Sequence, residues 1–206
     1  MPRRRIGRPR EFDVDVALDA AMRVFWQKGY EGTTLSDLTT ALGINRPCIY
    51  AAFGNKEALF RKVLDRYAGG PAAYLKAAMD APTARATVEQ LLEGAITLLT
   101  GAENPSICLI AQGTLACGDE AAPIRQELIV RRQRGEQMLE ARLQRAVTEG
   151  ELPPNTDTTA LARYFATVLR GLGISALGGA SRQELIGTAE LALRVLPGQQ
   201  DKDGRK

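Results

Sequence analysis

The sequence predicts an all-α protein. Apolar residues recur at helical spacing along most of the 206 residues, and no segment shows the sustained two-residue alternation of a half-buried strand. Glycines and prolines fall between the periodic segments, at places where helices are expected to begin or end. These observations together predict helices joined by short turns.

Four short helices are predicted in the first third of the chain, each with a recognisable start. Asp13 is placed to cap the first helix, and Gly29 suits the position just past its end. Thr34-Leu35-Ser36-Asp37 has the spacing of a capping box and opens the second helix, which Gly43 ends. Asn45 can cap a third helix that runs to Phe53. Asn55 can cap a fourth, from Lys56 to about Ala68.

The segment Gly69-Gly70-Pro71 interrupts the pattern and is predicted to be a junction or kink. Beyond it, periodicity and punctuating prolines predict six further helices, near residues 72–80, 84–100, 105–117, 121–149, 157–176 and 181–196. The polar segment 198–206 is expected to be disordered.

Composition argues against several classes of protein. No run approaches 18 apolar residues and no apolar stretch follows the N-terminal arginines, so neither a membrane span nor a signal peptide is expected, and we expect a cytoplasmic protein. The chain contains no histidine, and its three cysteines show no Cys-x-x-Cys spacing, so we expect no metal site, cofactor or disulfide framework. No acid, base and nucleophile converge at a recognisable spacing, which argues against an enzyme.

Positive charge is concentrated at the N-terminus. The first 66 residues carry twelve Lys and Arg against eight Asp and Glu, and five arginines precede the first acid, Glu11. Such a block indicates a polyanionic partner, or else a solvated tail. Within it, Gly7-Arg8-Pro9 matches the core of an AT-hook, which would place Arg8 in a narrow minor groove. The alternative is a tail that binds phosphates without specificity.

The second and third helices, joined by a glycine-containing turn, have the arrangement of a helix-turn-helix. If Ile49 and Phe53 face inward, the opposite side of the third helix presents Arg46, Pro47 and Tyr50. Arg46 could then reach base edges, and Tyr50 could bind a phosphate. Thr34, Asn45 and Lys56 lie at helix N-termini, where backbone amides and the helix dipole favour phosphate. An ordinary helical corner with a polar surface is the alternative interpretation.

Several motifs in residues 12–66 resemble the N-terminal signature of the tetracycline-repressor (TetR) family. They are Phe25-Trp26-x-x-Gly29-Tyr30-x-x-Thr33-Thr34-Leu35-x-x-Leu38, Leu42-Gly43-Ile44, Ile49-Tyr50-x-x-Phe53 and Asn55-Lys56-Glu57-Ala58-Leu59-Phe60. The resemblance implies that Arg46, Pro47 and Cys48 face bases, that Tyr50 binds phosphate, and that Thr34 and Lys56 hold the DNA backbone. Ala51-Ala52 and Gly54 depart from the usual pattern, which puts some backbone contacts in doubt.

The resemblance also implies a division of labour along the chain. It predicts a basic arm (1–11), a three-helix helix-turn-helix domain (12–66), an effector-binding and dimerisation domain (67–197) and a tail (198–206). The last two long helices would pair with those of a second copy. The predicted interface residues are Leu161, Phe165, Leu169, Leu172, Leu185, Ala189 and Leu193. These apolar stripes could instead be internal core.

A small-molecule effector would bind among the middle helices. The candidate lining residues are Tyr74, Met79, Leu91, Cys108, Leu109 and Gln112, all of which could also be plain core. The sequence thus predicts a homodimeric, ligand-responsive regulator, most simply a repressor, on a near-palindromic double-stranded DNA operator. Two alternatives are an architectural DNA-binding protein without an effector, and a redox sensor that uses the thiols of Cys108 or Cys117.

Overall fold

A computed structural model describes residues 12–102, 104–115, 118 and 121–197, and every regular element among them is helical. The prediction of an all-α fold is confirmed. Ten α-helices follow one another, with a 3₁₀ turn at Ala78–Asp80 between α5 and α6. Their bounds are α1 Val14–Gly32, α2 Leu35–Leu42, α3 Arg46–Phe53, α4 Lys56–Gly69, α5 Tyr74–Ala77, α6 Ala84–Thr100, α7 Leu109–Leu115, α8 Ala122–Thr148, α9 Thr158–Leu177 and α10 Arg182–Leu193.

The predicted caps form in the first four helices. The side chains of Asp13, Thr34, Asn45 and Asn55 each accept a hydrogen bond from an amide in the first turn that follows. Gly43 adopts a left-handed conformation (φ 65°) that ends α2, a position where a side chain would be strained. These local signals fix where each short helix begins and therefore which of its faces turns inward.

Gly29 interrupts the first helix as predicted: its φ of 71° is non-helical, and a short further segment of α1 continues to Gly32. Two other boundaries differ from the sequence prediction. The helix expected over 105–117 begins only at Leu109, because the indole Nε1 of Trp26 donates a hydrogen bond to the Ile107 carbonyl and fixes the preceding segment outside a helix. The helix expected over 72–80 is a single α-turn, α5, followed by the 3₁₀ turn.

The N-terminal core is built by α1 to α4. Phe25 and Phe60 meet edge to face with ring centroids 4.9 Å apart, and Leu38 and Ile49 are fully buried beside them. Leu109 of α7 and residues of α8 complete this core. The N-terminal helices are thus packed directly onto the middle of the chain.

A second core lies among α6, α8, α9 and α10, centred on Phe165 and Leu172 of α9. α4 runs to Gly69, so the predicted division at residue 66 falls within its last turn. α4 and the middle helices therefore join the two cores.

Candidate functional site

The third helix is held in one orientation by its cap and by two buried side chains. The Asn45 side chain accepts a hydrogen bond from the Cys48 amide at 3.0 Å, and Pro47 occupies the first turn, where no amide is needed. Ile49 and Phe53 are buried in the N-terminal core. The rotation of α3 about its axis is therefore fixed.

The opposite face of α3 is exposed. Arg46, Pro47 and Ala51 face solvent, and Tyr50 keeps 47% of its surface accessible although it is a large aromatic residue. Within the part of the chain that the structure describes, Arg46 has no carboxylate at ion-pair distance. Cys48 is half-buried. α3 thus presents a guanidinium and a phenol together at the surface.

At the start of α2, Thr34 is engaged in a reciprocal capping box. Its hydroxyl donates to Asp37 Oδ2 at 2.8 Å and accepts from the Asp37 amide at 3.1 Å. The Lys28 ammonium lies 2.6 Å from the other carboxylate oxygen of Asp37. These bonds, that of Lys28 first, lower the pKa of Asp37 to about 2. The predicted capping box therefore forms, and the Thr34 hydroxyl proton is already donated within the chain.

Lys56, at the start of α4, is half-buried. Its ammonium lies 4.6 Å from the centroid of the Tyr30 ring, a cation–π arrangement. Burial lowers the pKa of Lys56, while Glu31 and Asp37 act in the opposite direction. The predicted Arg8 contact and the basic arm lie outside the described residues, as does Cys117.

A cavity of about 180 Å³ lies among α5, α6, α7, α8 and α9. Four of the predicted lining residues, Tyr74, Met79, Leu91 and Cys108, do line it. The further lining residues are Leu75, Ala95, Leu98, Leu99, Ile110, Ala111, Arg131, Arg132, Gly135, Glu136, Met138, Leu139, Ala166, Leu169, Arg170 and Gly173. The walls are thus largely apolar, with four charged residues among them.

Two predicted lining residues lie elsewhere. Leu109 is buried in the N-terminal core, because the α7 face that carries it turns toward the N-terminal helices. Gln112 lies beside the kink of α1, with its Nε2 4.0 Å from where a Cβ on Gly29 would stand. Both therefore lie against the N-terminal helices instead of the cavity. Helical periodicity alone does not tell which neighbour a buried face will meet.

The run of arginines on α8 is only partly exposed. The sequence favours a solvated face for Arg131, Arg132 and Arg134, but only Arg134 is exposed. Arg131 and Arg132 are half-buried on the cavity wall. The sequence signal that could have shown this is weak, because the carboxylate that Arg131 meets on α4 lies 66 positions away.

Arg131 joins the cavity wall to α4. Its guanidinium lies 2.7 Å from Asp65 of α4 and 2.9 Å from Glu127 of α8. Glu127 also lies 3.3 Å from Arg61 of α4. α4 follows α3 directly in the chain, so this network joins a wall of the cavity to the N-terminal helices.

A second connection runs from the cavity to α1. Cys108 follows Ile107, whose carbonyl accepts the Trp26 hydrogen bond at 2.5 Å. Trp26 packs edge to face on Tyr67 of α4, with centroids 5.0 Å apart. Burial, together with the neighbouring Cys108 thiol, raises the pKa of Tyr67. The chain segment that bears Cys108 is thus anchored to both α1 and α4.

Four of the residues predicted to meet a second copy are buried within this chain. Phe165, Leu172, Leu185 and Ala189 belong to the second core, because the wider apolar stripe of each helix turns toward α6 and α8. Leu161, Leu169 and Leu193 are half-buried, and Leu169 lines the cavity. The apolar residues that remain exposed on and just beyond α9 and α10 are Tyr164, Ile174, Leu177, Leu191 and Val195.

Two other features are absent from the described residues. Among the described residues, no helix is both long and apolar enough to cross a membrane. Nor do three or more potential metal ligands cluster within the same ranges.

Comparison with known proteins agrees with this geometry. The profile of "Bacterial regulatory proteins, tetR family" matches residues 17–63, and that of "Tetracyclin repressor-like, C-terminal domain" matches residues 82–183. The HTH-type transcriptional repressor ComR of Escherichia coli (strain K12) is 36% identical over 193 residues, which is 93% of this chain and 92% of ComR.

A solved structure shows the same architecture bound to DNA. The TetR family transcriptional regulator CifR, as a cysteine mutant complexed with 26 bp double-strand operator DNA, is 41% identical. The superposition has a TM-score of 0.88 and covers 92% of this chain and all of that one. These matches span both halves of the molecule. The chain belongs to the TetR family of helix-turn-helix DNA-binding transcriptional regulators.

Proposed function

We propose that this protein is a homodimeric repressor that binds a near-palindromic duplex operator and leaves it when a small molecule occupies the cavity. The joint exposure of Arg46 and Tyr50 on the outer face of α3 is the observation that carries this proposal. Their helix is short, and its inner face is firmly packed in the N-terminal core. The outer face is therefore available to a major groove.

The side chains on this surface are assigned different tasks. Arg46 can donate to two acceptors of a guanine edge, while Pro47 and Cys48 would lie against bases. Tyr50 would donate its hydroxyl proton to a phosphate. Because Thr34 and Asn45 already cap their helices by bonding the Asp37 and Cys48 amides, we assign their phosphate contacts to the first-turn amides that these caps do not use. Lys56 would act through its charge.

Dimerisation is assigned to the exposed faces of α9 and α10. Ile174 and Leu177 near the end of α9 are 48% and 60% exposed, and Leu191 is also open. Gly171 has no neighbour within 4 Å of where a Cβ would stand, so a second helix could approach closely there. Two copies would place their recognition helices about 34 Å apart, one DNA turn, and together read enough bases for useful specificity.

Ligand response is assigned to the network that joins cavity and α4. A molecule that displaces the cavity wall would move Arg131 relative to Asp65, and with it α4 and the helix-turn-helix. A ligand that prefers one arrangement by about 1–3 kcal/mol is enough to change operator affinity severalfold or more. The cavity would thus control the separation of the two recognition helices.

Selection of binding sites from random duplex DNA tests the DNA-binding half of the proposal. We expect recovery of a site with two similar half-sites about one turn apart, bound by a dimer in light scattering. Recovery of unrelated sequences bound with equal affinity would instead support an architectural DNA-binding role. Screening small molecules for release of the selected duplex then tests the ligand response.

A further inference from the structure

The charged residues around the cavity are not balanced. Three arginines, Arg131, Arg132 and Arg170, border it, whereas Glu136 is the one carboxylate among its lining residues. The remaining walls are apolar or uncharged. A bound molecule would therefore meet mostly hydrocarbon, with a small number of charged side chains among the walls.

Arg132 makes an interaction within the chain, and two more of these four charged groups have partners of opposite sign. Arg131 is held by Asp65 and Glu127, and Glu136 lies 3.5 Å from the exposed Arg163. Both groups are therefore already neutralised within the chain. A ligand would have to compete with these contacts in order to use them.

Arg170 differs from Arg131. This half-buried residue of α9 donates a hydrogen bond to the Thr167 hydroxyl at 3.0 Å, and no carboxylate of the described ranges lies within ion-pair distance of it. A partly desolvated cation beside an apolar cavity is costly, and an incoming anion would offset that cost. A guanidinium also matches a carboxylate with two parallel hydrogen bonds.

We propose that the cavity binds a small amphipathic carboxylate, with its apolar body among Leu91, Leu99 and Leu139 and its charged group on Arg170. This inference rests on the proposed effector role of the cavity. A volume of about 180 Å³ accommodates a single ring or short chain, since a cavity of about 150 Å³ holds benzene. One uncompensated guanidinium suits one negative charge, whereas a phosphate dianion would leave a second charge in apolar surroundings.

Calorimetric titration of the full-length protein without DNA tests this chemistry. The probes are octanoate, octanol and octylamine at neutral pH, which share one chain length and differ in charge. We expect octanoate to bind at least about tenfold more tightly than octanol. Octanoate that shows no saturable binding, or that binds no more tightly than octanol or octylamine, would overturn the proposal.

Variants of Arg170 test whether this residue causes the preference for octanoate over octanol. Arg170→Gln should weaken octanoate binding about tenfold and leave octanol binding unchanged, whereas Arg170→Lys should keep part of the preference because it keeps the charge. Arg85→Gln is the matched control, since Arg85 is exposed on α6 and pairs with Glu89 away from the cavity. Equal octanoate affinity in the Arg170→Gln and Arg85→Gln variants, both folded by circular dichroism, would contradict the assignment.

Operator affinity measured with saturating octanoate separates this inference from the proposed function. Octanoate that binds through Arg170 but leaves operator affinity unchanged would support the cavity chemistry and contradict release by this ligand. Loss of operator affinity that persists unchanged in Arg170→Gln would contradict the role of Arg170, although the protein would still be ligand-responsive.

Discussion

Arginines on α3 and on the cavity wall are used in opposite ways. Arg46 projects from α3 into solvent with no carboxylate partner among the described residues, whereas Arg131 lies half-buried on α8 between Asp65 and Glu127. The first side chain is available to a polyanion that approaches from outside. The second is committed to contacts between helices. Under the proposed function, DNA contact therefore depends on one short helix, whereas the response to a ligand depends on contacts among several helices.

The largest expected effect separates the two faces of α3. Ile49 is fully buried, so Ile49→Ala should lower the free energy of unfolding by about 2–5 kcal/mol. Its neighbour Tyr50 is exposed, so Tyr50→Ala should change stability little but weaken operator binding. Urea unfolding and fluorescence anisotropy on labelled operator measure the two quantities. If Tyr50→Ala were the more destabilising change, the outward projection of Tyr50 would be contradicted.

A second test concerns the exposed face of the last two helices. Leu191 is 61% exposed in the single chain, and burying a leucine at an interface contributes about 1.5–3 kcal/mol. Leu191→Glu should therefore shift the protein toward monomers in sedimentation equilibrium and weaken operator binding with it. Val16→Glu is the matched control, because Val16 is also exposed (65%) but lies on α1. If both variants become monomers, or if neither does, the assignment of the dimer interface to α9 and α10 would be contradicted.

The predictability of the two regions differs for a physical reason. Caps and turns are decided by residues a few positions apart, so Thr34, Asn45 and Gly43 could be assigned from local sequence. Burial of Phe165 and Leu172 inside the chain could not be predicted from local sequence. An apolar stripe shows that a helix face is covered but does not show what covers it. Leu109 was misassigned to the cavity for the same reason.

Ion pairs between residues far apart in the sequence could not be predicted either. The tie between Arg131 and Asp65 joins positions far apart in sequence, and nothing local distinguishes Arg131 from the exposed Arg134. The cavity and its connection to α4 therefore emerge only when the helices are assembled.

A smaller effect is expected from the capping box of α2. Because the folded pKa of Asp37 is about 2, below its ordinary value of 3.8, its contribution to stability is present above 3.8 and is lost as pH falls through about 2. Asp37→Asn should lower the melting temperature by a few degrees at neutral pH, and this difference should vanish over that acidic window. Thermal unfolding at a series of pH values measures the effect.

The control for this titration is Asp80→Asn, since Asp80 makes no ion pair among the residues that the structure describes. A gap between wild type and Asp37→Asn that stays constant down to the lowest pH would contradict the lowered pKa of Asp37.

The smallest effect on stability is expected from the ion pair between Arg131 on the cavity wall and Asp65 on α4. Asp65→Asn removes an exposed carboxylate, so the free energy of unfolding should fall by only about 0.2–1 kcal/mol. Octanoate should nevertheless lower the operator affinity of Asp65→Asn by a smaller factor than that of the wild type, because α4 is less firmly joined to the cavity wall. If octanoate lowers the operator affinity of both proteins by the same factor, the Arg131–Asp65 ion pair does not carry the coupling. The hydrogen bond between Trp26 and Ile107 would then be the remaining connection between the cavity and the N-terminal helices.

Base discrimination by Arg46 most directly tests the central claim, which is that the outer face of α3 recognises DNA bases. Operator affinity and random-duplex affinity are compared for the wild type, Arg46→Ala and Lys56→Ala at one salt concentration. Arg46→Ala should lose about 1–3 kcal/mol on the selected operator and much less on random DNA, while Lys56→Ala should weaken both alike. Equal losses on both duplexes for Arg46→Ala would show that the outer face of α3 does not recognise bases.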